Sequence, residues 1–201
     1  MLRKVIVIGG LIFAFTALHA ANYVGIGGNG PVDILQPNTV AWRIGEGIFL
    51  ENMVFEPSIS INLSKTSVRE PSDSTDYNSL GISLGLLAIH PVKKFDNVQL
   101  HTLFGFGLSF NSDKQTSKFE ATEGDYTKSS TFGFSLNYGF GMQVGLTKTI
   151  SVGVDAISGL SFTTSGGETK SGNVTTDLGT TKTLSFGLSN TVFRFMLFFG
   201  L

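Results

Sequence analysis

The sequence predicts an all-β fold, an eight-stranded antiparallel up-and-down transmembrane β-barrel. Three observations lead there. Long segments alternate apolar and small or polar residues at every second position. Polar connections between them alternate long and short. The composition joins 25 Gly and 18 Phe in 201 residues, with a net charge of −1. From Thr131 to Leu146 the even positions are Phe132, Phe134, Leu136, Tyr138, Phe140, Met142, Val144 and Leu146, and the odd ones are mostly Gly, Ser, Asn and Gln. Side chains of a strand point to opposite faces in turn, so this segment has one greasy side and one small, polar side. Strands of soluble proteins run about 5–6 residues and tilted membrane strands about 9–11; this one is longer still.

The chain opens with a basic start (Arg3, Lys4), an apolar run from Val5 to Leu18 and small residues at Ala20 and Ala21. That order is the pattern of a secretory signal peptide over residues 1–20, and its apolar core is short of the roughly 20 residues a spanning helix needs. Residues 21–201 then form one barrel domain. Its strands are expected at Asn22–Gly30, Val40–Phe49, Asn52–Ser64, Leu80–His90, Val98–Phe110, Thr131–Leu146, Ile150–Thr164 and Thr183–Leu201. Loops are expected at Pro31–Thr39, Lys65–Ser79, Asn111–Ser130 and Ser165–Lys182. Between them fall short turns near Leu50–Glu51, Pro91–Asn97 and Thr147–Thr149. Brief turns at one end and long loops at the other are the asymmetry of outer-membrane barrels, and an even strand count puts both termini at the short-turn end.

Two segments resist a simple reading. Arg43 and Glu46 fall on opposite parities, which a bulge near Gly45 would reconcile. The last segment loses its phase near Asn190, so a hairpin at Ser189–Thr191, giving nine strands, is the alternative.

Alternation leaves open which face is outside, since a soluble lipocalin-like barrel turns its apolar face inward around a ligand. The opposite face carries Gly81, Ser83, Gly85, Gly105, Gly107, Ser109, Gly153 and Ser161, which suits the tight interior of eight strands. These strands hold few of the Lys and Glu residues that a water-facing exterior carries. Aromatics gather near strand ends (Phe106, Phe110, Phe132, Phe134, Phe162, Phe193, Phe199), as interfacial girdles do. The apolar face is therefore expected to meet lipid. Charges within the strands, Arg43, Glu46, Glu56, Asp155 and Arg194, would then face the lumen and pair there, because an unpaired charge in lipid or in the interior is costly.

Several chemistries lack their signature. Zero Cys removes disulfide and Cys-zinc frameworks. No basic stripe serves nucleic acid. Gly25–Gly30 matches G-x-G-x-x-G in letters only, because Pro31 follows where a helix should begin. His90 and His101 are scattered relative to acids and nucleophiles, so neither a metal site nor a catalytic triad is expected, and no cofactor.

The Gly/aromatic run Leu103-Phe104-Gly105-Phe106-Gly107-Leu108-Ser109-Phe110, the signal sequence and the closing strand with Phe193, Phe195, Leu197, Phe199 and Leu201 on one parity resemble small outer-membrane β-barrel proteins. The type most similar is that of opacity proteins and OmpX/OmpA barrels. The resemblance covers the whole mature chain and is architectural. It implies location in the cell outer membrane of a Gram-negative envelope and contact with outer-membrane lipid. It also implies recognition of the last strand by the barrel assembly machinery, although that strand ends in Leu rather than Phe or Trp. A monomer is expected, without catalysis. Its function would be structural or adhesive, exercised through external loops toward a partner the sequence does not name. The alternatives are a lipid-modifying enzyme and a secreted barrel that binds an apolar ligand.

Overall fold

The structure is a computed structural model that describes residues 23–29, 37–43, 50–69, 73–119 and 125–200. Eight strands follow one another: β1 (Tyr23–Gly28), β2 (Thr39–Arg43), β3 (Val54–Arg69), β4 (Asp73–Phe95), β5 (Val98–Phe119), β6 (Asp125–Gly145), β7 (Ile150–Ser171) and β8 (Val174–Gly200). Each pairs antiparallel with its sequence neighbours, and β8 returns to β1, from Tyr23↔Gly200 to Gly28↔Phe195, so the sheet closes into a ring. Closing the sheet removes its edges over this stretch. No described residue is helical. The expected signal peptide and the Gly45 bulge lie outside the described residues, as does the part of the second segment beyond Arg43.

The short turns follow from local chemistry. β4 and β5 meet at a two-residue turn, Phe95↔Val98, with Asp96 at a positive φ of 42°; Asp tolerates this left-handed region better than most residues. Between β6 and β7, Thr147 Oγ1 accepts hydrogen bonds from the Thr149 and Ile150 amides at 3.2 and 3.0 Å. β7 and β8 turn at Gly172-Asn173, where Gly172 takes a φ of 58° that a side chain would strain.

The nine-strand alternative with a hairpin at Ser189–Thr191 does not occur, and the last segment is one strand, β8, as the count of eight expects. Its phase change is a bulge: Ile157 pairs with Val192 and Gly159 with Gly187, so β8 carries three more residues than β7 over the same stretch. An odd insertion flips the faces. Leu184 and Phe186 point out before it, and Phe193, Phe195, Leu197 and Phe199 after it. Ser158 and Thr191 pin the bulge with a 2.6 Å hydroxyl pair.

The loop expectations are overturned. Lys65–Ser79, Asn111–Ser130 and Ser165–Lys182 were expected to be loops. They are instead largely continuations of the strands, with register preserved to Arg69↔Ser74, Asp73↔Phe119, Ser117↔Asp125 and Ser171↔Val174. β3 to β8 thus rise as a wall beyond the short β1 and β2. Thr75–Ser117, Tyr77–Gln115 and Thr127–Thr169 form side-chain contacts of 3.2–3.5 Å across its rungs, and such cross-strand pairs stabilise a sheet. We expect hydrogen–deuterium exchange to find the amides of Asn111–Ser117 and Tyr126–Ser130 protected at successive positions, because each stretch is paired on both sides. Exchange of that whole stretch at the rate of free coil would contradict the ladder.

Large apolar side chains project outward around the ring. Phe104 is 61% exposed, Phe140 69%, Leu184 69% and Phe186 73%. On β5 this band runs from Leu100 to Phe110, and on β6 from Phe132 to Met142. The interior is not only Gly, Ser and paired ions. Leu50, Val54, Leu87, Ile89 and Leu103 form a buried apolar cluster with Ile157 against it, and Ala41, Met196 and Phe198 form another. The odd parity that carries Gly81, Ser83 and Gly85 simply continues into Leu87 and Ile89.

Candidate functional site

The interior side chains come from five strands. Inward parity aims Arg43 (β2), Glu56 (β3), His101 (β5), Asp155 (β7) and Arg194 (β8) at one volume, and all are buried. Asp155 and Arg194 face each other across the β7–β8 ladder. Arg194 donates to Asp155 Oδ2 from Nε at 3.0 Å and from Nη2 at 2.5 Å, while its Nη1 stands 2.6 Å from Glu56 Oε1. Arg43 grips the other Glu56 oxygen, Oε2, from Nε at 3.1 Å and from Nη2 at 2.6 Å. His101 Nε2 donates to Asp155 Oδ1 at 2.7 Å; with a carboxylate as partner, this nitrogen carries the proton. Two guanidinium groups and two carboxylates thus neutralise one another in the buried interior, which is the condition under which buried charge is tolerated.

Amides and an aromatic ring extend the cluster. Arg43 Nη1 also donates to Gln143 Oε1, and Gln143 Nε2 donates to Ser151 Oγ at 2.7 Å. The Arg43 guanidinium lies 4.0 Å from the centre of the Phe198 ring, a cation–π stack suited to Arg. Gln99 acts as a substitute strand partner. Its Nε2 donates to the Leu50 carbonyl at 2.7 Å and its Oε1 accepts from the Leu50 amide at 2.8 Å. This pair fastens Leu50 inside the ring, where it joins the apolar cluster.

Gly141 makes the network possible. A Cβ built there would stand 2.0 Å from Asp155 Oδ1 and 2.5 Å from His101 Nε2. Gly141→Ala is therefore expected to separate this pair and lower stability by about 1–3 kcal/mol, the range for overpacking. A urea titration of the folded form reads it, and an unchanged midpoint would contradict the geometry.

Above the ions, a cavity of about 250 Å³ reaches Arg194 and is lined by Ser58, Ser60, Ser83, Ser109, Ser135 and Asn137. Its hydroxyls and amide can hold water or a small polar solute.

Of the residues singled out from sequence, the structure brings Arg43, Glu56, Asp155 and Arg194 together; Glu46 lies outside the described residues. The sequence reading omitted His101, Gln99, Gln143 and Ser151 from the network. Their signal was present, since each shares the inward parity of its strand. No group of three or more His, Cys, Asp or Glu residues among those described could hold a metal ion. Comparison with protein-family models, curated proteins and solved structures returned no match for this chain.

Proposed function

We propose that the chain is an integral β-barrel protein of a bacterial outer membrane, with a structural or adhesive role exercised by its projecting hairpins and no catalysis of its own. One observation carries this reading: large apolar side chains point outward around the ring, while ions, amides and hydroxyls occupy its middle. A soluble barrel that stores an apolar ligand requires the reverse. On the strands where it is continuous, the band spans about the 9–11 residues of a tilted membrane crossing. Among the described residues no helix is long and apolar enough to cross a membrane, which bears only on helical spans.

In this reading the hairpin ends of β3–β8 face the exterior, and the short turns face the periplasm. The salt-bridged cluster and the apolar residues beside it close the lumen, so the protein is a stopper rather than a pore. The His101–Asp155 pair belongs to that cluster, with its Nε2 occupied by the carboxylate, and serves the fold. The signal peptide, delivery by the barrel assembly machinery and a monomeric state belong to the same proposal.

Refolding the full chain into phosphatidylcholine vesicles tests the reading. The expected result is co-flotation that resists alkaline extraction, with faster gel migration of the unboiled sample. Recovery of all the folded protein in the aqueous fraction would end it. Planar-bilayer recordings are expected to give no steady conductance.

A further inference from the structure

The sheet register places three lysines on one rung of the outer face, with Asn78 between the first two, immediately beyond the apolar band. Reading across the strands, Lys65 (β3) pairs with Asn78 (β4), Asn78 with Lys114 (β5), and Lys114 with Lys128 (β6). These share the outward parity of Ile61, Leu63, Phe110 and Phe132 on their own strands. One same-face step lower on β3 and β4 the rung reads Leu63↔Leu80, about 7 Å nearer the band. Like charges directly opposite each other destabilise a ladder, and Lys114 and Lys128 are directly opposite. Glu168 on β7 stands directly opposite Lys128, and Asp76 on β4 lies one same-face step above Asn78, where it accepts from Ser67. From β3 to β5 the rung itself carries Lys65 and Lys114 and no acid.

The outer surface is hollowed at this place. A depression of about 440 Å³ is bounded by Leu63 and Leu80 below and by Lys65, Asn78, Ser112 and Lys114 around and above. Leu63 is 74% exposed. The depression therefore offers an apolar floor and a cationic, hydrogen-bonding rim in one place. Lys65 and Lys114 flank it from strands two apart, about 10 Å at the backbone, a span that two flexible lysine stems can close around one phosphate.

We propose that this depression binds a lipid with an anionic, phosphate-bearing head group. The phosphate sits between Lys65 and Lys114, the second of which turns to it from its place 5.3 Å over the Tyr126 ring. The first part of an acyl chain lies along Leu63 and Leu80. The proposal rests on the membrane reading, which sets the lysine rung at head-group depth. Charge complementarity selects the anionic head and the leucines select an amphiphile over a free anion. Asn78 and Ser112 can hydrogen-bond the remaining phosphate or glycerol oxygens.

The test is native mass spectrometry of the refolded full chain in non-ionic detergent. Dioleoylphosphatidylglycerol and dioleoylphosphatidylcholine are offered at equal concentration. The wild type is expected to retain the phosphatidylglycerol preferentially. Lys65→Glu with Lys114→Glu is expected to reduce that retention by about tenfold or more, and Lys65→Arg with Lys114→Arg to keep it. Should the glutamate pair fail to show heat-modifiable migration, Lys65→Gln with Lys114→Gln replaces it, with the same expected loss. Inorganic phosphate is not expected to displace the lipid at matched concentration. Equal retention of the two lipids, equal retention by wild type and glutamate variant, or full displacement by inorganic phosphate would each overturn the proposal. If the protein enters vesicles but shows no lipid preference, the proposal falls and the membrane reading stands; if it does not enter vesicles, both fall.

Discussion

Replacing Arg194 with methionine is expected to lower stability by about 3–5 kcal/mol, the largest effect of any single substitution considered for this protein. The methionine fills much of the same volume but withdraws the cation that stands 2.5 Å from Asp155 and 2.6 Å from Glu56. Glu56 retains Arg43, and Asp155 retains His101. One negative charge is then in excess inside the ring, where water cannot reach it cheaply. The measurement is a urea titration of the vesicle-refolded protein, scored by the heat-modifiable band. A loss below about 1 kcal/mol would mean that these groups do not act as a coupled network. The companion variant distinguishes net attraction from mutual compensation. Replacing Arg43, Glu56, Asp155 and Arg194 together by apolar residues of similar size is expected to recover most of the loss. Buried ion clusters often contribute little relative to well-packed hydrophobic replacements, whereas breaking one partner is costly. The network is thus best understood as a set of charges that need each other.

Phe104→Arg is the second large effect, and it bears directly on the membrane proposal. Phe104 points outward midway between Leu100 and Phe110, and its cross-strand neighbours are Ala88 and Tyr138. If acyl chains surround this rung, arginine there is expected to cost about 2–4 kcal/mol. If water surrounds it, an exposed surface substitution of this kind changes stability by about 0.5 kcal/mol or less. The same denaturation assay reads both cases. Thr116→Arg is the control: it shares the outward parity but lies in the hairpin extension, beyond the lysine rung, and is expected to be nearly neutral in either medium. Equal, small effects at both positions would contradict a lipid-facing band.

Both experiments probe features that differ in how far the sequence revealed them. Strand identity from Leu80 onward was readable because alternation is a local property of an extended backbone. Phe132 through Leu146 needed no partner to declare two faces. The inward-facing charges were readable for a related reason: Arg43, Glu56 and Asp155 share the small, polar parity, and Arg194 lies on the parity opposite Phe193, Phe195, Leu197 and Phe199, beside Met196 and Phe198. Gln99 and His101 carried the same mark, but the cluster was read from the charged residues alone, and His101 was weighed only for catalysis and metal binding. The hairpin extensions were hidden by their composition. In Asn111–Phe119 and Asp125–Ser130 both faces are polar, so a paired strand and a coil leave the same imprint, and cross-strand hydrogen bonds alone separate them.

What the sequence determined by itself was therefore the set of faces: which side chains are greasy, which are small, and which charges lie opposite the outward apolar row. The tertiary structure decided who meets whom. Asp155 and Arg194 are brought opposite by the β7–β8 register, and Glu56 reaches Arg194 only because the sheet closes through β1. Leu50 enters the core only because Gln99 waits on another strand. Periodicity is written along one strand, whereas pairing, closure and the three-residue shift near Thr191 depend on hydrogen bonds between strands, and residues far apart in the chain settle those together.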